Sequence, residues 1–70
     1  MDKDILKLNE LSIEYQEAIN KEDAATKDVE RAISFKTKYK CLQALYEAKM
    51  KRNSIGNKIN SFCKELEARQ

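Results

Sequence analysis

Seventy residues and 8.2 kDa set one small domain as the ceiling, since independent domains usually run to about 100–150 residues and enzymes with a sheltered pocket are generally longer. One glycine, no proline, no tryptophan and no histidine leave few turn formers; 41% hydrophobic content is too apolar for a fully disordered chain, and the dominance of strong helix formers excludes an extended sheet protein. The net charge of +2 gives no mandate for nucleic-acid or membrane binding, but residues 1–35 hold five basic and nine acidic side chains (−4) while residues 36–70 hold nine and three (+6), so electrostatic attraction resides in the second half.

The expected fold is all-α: a single helical domain over residues 1–70, forming a helical hairpin or small three-helix bundle that dimerises through helix packing. The first helix is predicted over residues 4–19, where Ile5, Leu8, Leu11, Tyr15, Ala18 and Ile19 fall on one arc and Glu10, Glu14 and Glu17 turn away. Asp2 or Asp4 is placed to cap its first turn. Leu6 and Ile13 lie off the main arc and hint at a second contact.

A polar break is expected at Asn20–Asp23, because two antiparallel helices can bury the first stripe within the chain and an unbroken rod cannot. The second helix is predicted over 24–52. Its apolar line runs Ala25, Val29, Ala32, Phe35, Tyr39, Leu42, Tyr46, Met50, a coiled-coil-like seam with one slip near Ala32. Cys41, Leu45 and Ala48 form a weaker second stripe. Basic residues, the capping types Asn53 and Ser54, and the lone Gly56 then predict a turn or kink. A third helix follows over 54–68, with Ile55, Ile59, Phe62 and Leu66 on its apolar face. Joining that face to Leu45 or Tyr46 in one 3–4 alternation would put Arg52 or Asn53 in a core position, which favours the break; a continuous, mildly bent helix is the alternative.

The chain offers no constellation for catalysis. It lacks histidine, its carboxylates lie mainly on solvated faces, Glu10, Glu14 and Glu17 have no Glu-x-x-His companion for a metal, and Gly56 stands outside any phosphate-cradling loop. No cofactor and no metal are expected. Cys41 and Cys63 are 22 positions apart with no CxxC pairing, so a structural metal is not indicated, and Cys63 reads as a small core residue. With no basic-then-apolar leader and no apolar run of about 20 residues, the expectation is a cytoplasmic protein with reduced thiols and no membrane partner.

Two partner classes remain. The leading expectation is a non-enzymatic, dimeric interaction module, a regulatory or accessory protein that binds or organises a larger one. The residues proposed to face the partner or second copy are Leu6, Ile13, Tyr39, Cys41, Leu42, Leu45 and Tyr46; beyond the principal stripes, Leu6, Ile13, Cys41, Leu45 and Ala48 make a second apolar set that one hairpin has difficulty covering. In general style this small Lys-, Glu-, Ile- and Asn-rich helical chain is similar to accessory proteins of bacteria and their phages, a likeness of composition that assigns no residue a role. The alternative is a small nucleic-acid-binding regulator using the basic segment 36–58, with Lys49, Lys51, Arg52 and Lys58 as phosphate contacts. A helix-turn-helix with its turn at Asn53–Asn57 is a minor version of that reading. A viral scaffold or assembly chaperone needs the same amphipathic helices as the first class.

Overall fold

Two long helices account for nearly the whole chain: α1, Asp2–Arg31, and α2, Phe35–Ala68. The computed structural model describes residues 2–69, the side chain of Asp2 excepted; the capping role expected of that side chain lies outside the described residues. The all-α class and the hairpin are as expected, and the three-helix arrangement is not what forms. The break anticipated at Asn20–Asp23 is absent. The segment carries the contact line onward through Ala18, Glu22 and Ala25, and within it Gln16 Nε2 donates to Asn20 Oδ1 (3.1 Å) and Thr26 Oγ1 to the Glu22 carbonyl (2.9 Å). The turn expected around Asn53–Gly56 is absent as well, so the segments 24–52 and 54–68 are not separate helices and no helix-turn-helix exists there.

The reversal comes instead at Ala32–Ser34, inside the segment predicted as the middle helix. Ser34 is extended (φ −87°, ψ 152°) and is the N-cap of α2. Its Oγ accepts from the Thr37 N–H at 3.2 Å and donates to Thr37 Oγ1 at 2.8 Å, while its carbonyl accepts from the Lys38 N–H at 3.0 Å. One hydroxyl thus satisfies an amide that the first turn of α2 leaves without a helical acceptor. On the other side, the Ala32 N–H closes α1 on the Asp28 carbonyl (3.1 Å), and Arg31 places positive charge at the negative end of the helix dipole. No described residue has a left-handed backbone, so the turn needs no glycine.

The helices pack antiparallel into a rod with extents of 54 × 16 × 11 Å. Its radius of gyration is 16.1 Å, against about 11 Å for a compact chain of this length. The accessible surface is 5804 Å², where a globular monomer of this mass would expose about 4,500 Å².

The contact line between the helices is a regular alternation of three and four residues. On α1 it runs Leu8, Leu11, Tyr15, Ala18, Glu22, Ala25, Val29, and on α2 Cys41, Leu45, Ala48, Arg52, Ile55, Ile59, Phe62, Leu66, all buried or half-buried. This is the spacing of a short coiled coil, in which side chains of one helix seat between those of the other. Among the described residues only Ala18 (3% exposed), Ile55 (6%) and Phe62 (6%) are buried. Alanine and cysteine occupy much of the line near the turn, where Ala25, Ala32, Cys41 and Ala48 are half-buried.

Candidate interaction surface

The seam overturns the predicted choice of apolar stripe on α2. Cys41, Leu45 and Ala48 face α1, whereas Tyr39, Leu42, Tyr46 and Met50, expected to form the core, are exposed. Cys41 and Leu45 are therefore committed to the intramolecular seam and do not form the free surface expected of them. A helix is stiff, so the line fixed by Ile55, Ile59, Phe62 and Leu66 extends backwards through residues 52, 48, 45 and 41. The Tyr39 stripe then lies roughly 120° farther round by the 100° helical step.

Arg52, the residue that argued against this register, sits in the seam beside a partner that helix α1 supplies. Its Nε contacts Glu22 Oε2, and Glu22 occupies the equivalent polar place in the α1 line. The guanidinium pKa is held above its ordinary value, first by hydrogen bonding to the Tyr15 side chain and next by the negative charge of Glu22. The Nε is shielded from solvent and its pairing is an ionic contact rather than an aligned hydrogen bond. One polar layer thereby crosses the seam where both apolar lines are interrupted, and a misregistered pairing would leave either charge against apolar side chains.

Gly56 serves the same layer. A Cβ built there would meet Tyr15 Cε1 at 3.4 Å, so the missing side chain is where the Tyr15 ring lies against α2. Farther towards the open end, Lys7 Nζ stands 4.5 Å above the Phe62 ring, a cation–π contact. Arg69 approaches Asp4 at 3.6 Å and Glu65 at 3.9 Å; these exposed pairs add little stability.

The broad faces of the rod differ in chemistry. One carries shallow open grooves lined by Glu14, Glu17 and Lys21 of α1 with Lys51, Ser54 and Lys58 of α2. The other holds the stripe Phe35, Tyr39, Leu42, Tyr46 of α2, with Ile33 in the turn at one end, while Met50 at the other end turns towards the groove lined by Leu11, Ser54, Lys58 and Phe62. From Ile33 to Met50 these six side chains are 49–100% exposed. Leu6 and Ile13 are each 60% exposed on α1, about 180° from its seam on a helical wheel. Of the interface residues chosen from the sequence, Leu6, Ile13, Tyr39, Leu42 and Tyr46 are on the surface. Ile33 was missed, and Phe35 and Met50 were assigned to the core. Ser34, a preferred N-cap residue type just before Phe35, is the signal that would have freed Phe35 from the middle of a helix.

The four residues proposed for phosphate contact do not gather into one patch. Arg52 is engaged by Glu22, Lys51 and Lys58 face a groove they share with Glu14 and Glu17, and Lys49 is exposed away from them. Cys41 and Cys63 are free, half-buried thiols. Among the described residues no group of three metal-ligating side chains comes together, and no helix is long and apolar enough to cross a membrane. Set against protein-family models, curated proteins and solved structures, the chain matches none of them.

Proposed function

We propose that this protein is a non-enzymatic protein–protein interaction module: a small helical hairpin, regulatory or accessory in kind, that docks on another amphipathic helical surface. The observation that supports this reading is the α2 stripe. Six large apolar side chains at 49–100% exposure follow one another from the turn along the first half of α2. An aromatic buries about 150–250 Å² when covered, so the stripe offers on the order of 800 Å², above the roughly 300–600 Å² of the largest patch on an ordinary monomer. Tyrosine and phenylalanine carry large contact area at low entropic cost, and helices laid into such surfaces read anchors at helical spacing.

The chemistry around the stripe is that of a contact surface. Lys36, Lys38, Lys40 and Lys49 occur along the same helical segment, with Glu47 as its lone acid, so an acidic amphipathic helix would complement it. A phosphate backbone would need its cations on one face, and Arg52 is already paired. The reading is tested by comparing wild type with Leu42→Asp in affinity capture and in sedimentation. The variant should keep the wild-type helical circular dichroism and lose its associations. A folded wild type with no associations, or a variant that retains all of them, refutes the reading.

A further inference from the structure

Resting on that reading, we infer that the occupant of the α2 stripe is a second copy of this chain, laid on the same broad face and inverted end to end, so that each turn half covers the open half of the other. The first observation is how charge is distributed along the rod. The turn half, residues 18–52, holds nine basic and five acidic side chains, a net of +4; the open half, residues 2–17 with 53–69, holds five and seven, a net of −2. Two rods laid parallel would set +4 beside +4. Inversion sets +4 beside −2 twice, and a twofold pair makes both contacts by symmetry.

The second observation is area. The accessible surface of 5804 Å² exceeds the globular expectation by about 1,300 Å². Covering the stripe on both copies would bury about 1,600 Å² of stripe alone, to which the covering faces add, so the pair reaches at least the size of a standard specific interface. Register supplies the third. At 1.5 Å of rise per residue, inversion about the middle of the rod brings a residue of α1 level with the α2 residue about 35 positions later. Ile5, 52% exposed and on the stripe's side of the rod, thus comes level with residue 40, between Tyr39 and Leu42. The polar Asn9, Ser12 and Gln16 follow it on that face, and the small Ser12, level with Tyr46, leaves room for its ring. Leu6 and Ile13, on the far side of α1 from its seam, stay outside the pair.

Sedimentation equilibrium on the full chain from about 0.5 to 100 µM tests the pairing. The expected result is a monomer–dimer equilibrium, with dissociation weakened severalfold or more between 0.5 and 0.05 M salt. Leu42→Asp and Tyr46→Glu should each raise the dissociation constant at least tenfold while preserving the wild-type helical signal, whereas Ile13→Asp should leave it unchanged. Orientation is read from nitroxides on Lys36→Cys in a Cys41→Ala/Cys63→Ala background. Residue 36 lies near one end of the 54 Å rod, so inversion places the labels about 45–50 Å apart and parallel pairing under about 25 Å. Monomers across the range, or the short distance, overturn the inverted pair. Monomers whose stripe still captures a partner in a Leu42-dependent manner overturn the pair alone; monomers with no such capture overturn the docking reading as well.

Discussion

Phe62 gives the sharpest measure of where this hairpin keeps its stability. It is one of three buried residues among those described, 6% exposed, with its ring capped by Lys7 at 4.5 Å. Truncating a buried phenylalanine to alanine costs about 3–5 kcal/mol, from lost transfer energy and the space left behind. A 70-residue chain has about 3.5–10 kcal/mol in total, so Phe62→Ala removes a large share of it. At this size each kcal/mol moves the melting midpoint by about 4–8 °C, and the lower bound of the cost already predicts a fall of about 12 °C. The assay is thermal circular dichroism at 222 nm on wild type and variant at one concentration below a micromolar, where association contributes least. Leu42→Ala is the control: half-exposed and off the seam, it should stay within about 0.5 kcal/mol of wild type. A Phe62→Ala midpoint within 3 °C of wild type, or a larger loss for Leu42→Ala, would refute the assignment of the seam.

Other consequences are as direct. Ser34→Ala should cost about 1 kcal/mol, because the Thr37 amide loses its acceptor, and a chemical denaturation midpoint unchanged within error would show that the turn is held by something else. Gly56→Ala should stabilise by about 0.4–1 kcal/mol, since the added Cβ makes an ordinary 3.4 Å contact with Tyr15 and the helix gains propensity; Gly56→Leu, which has no room beside that ring, should lower the melting midpoint. Removing one partner of the seam pair, by Glu22→Leu or Arg52→Leu, should destabilise, and the double substitution should recover or surpass wild type, because two apolar side chains avoid the desolvation that a lone charge suffers. A double variant no better than the worse single would contradict this account of the polar layer.

Most of the helical content was readable from residue types, and so was the apolar face of Ile55, Ile59, Phe62 and Leu66. The turn was not, because Ala32–Ser34 contains no glycine or proline and its signal is a single hydroxyl paired with Thr37. Position 20–23 looked more like a loop, yet Ala18, Glu22 and Ala25 carry the contact with α2 straight through it. The wrong stripe was assigned to the core of α2 for a related reason: Tyr39, Leu42, Tyr46 and Met50 outweigh Cys41, Leu45 and Ala48 in apolar mass, and mass is what periodicity reports. Of the five exposed candidates chosen from the sequence, Leu6 and Ile13 therefore came from surplus on α1 and Tyr39, Leu42 and Tyr46 from a stripe first taken for core.

Residue chemistry alone determined that the chain would be helical and amphipathic, that its charge would divide between its halves, and that histidine-based chemistry had no place in it. The tertiary structure decided which apolar line turns inward. Arg52 is unacceptable in a core when α2 is considered by itself; it becomes acceptable once Glu22 and Tyr15 of α1 meet it across the seam. With that layer accommodating Arg52, the register that Ile55, Ile59, Phe62 and Leu66 fix carries back along the whole helix, and the larger apolar side chains are the ones left facing outward.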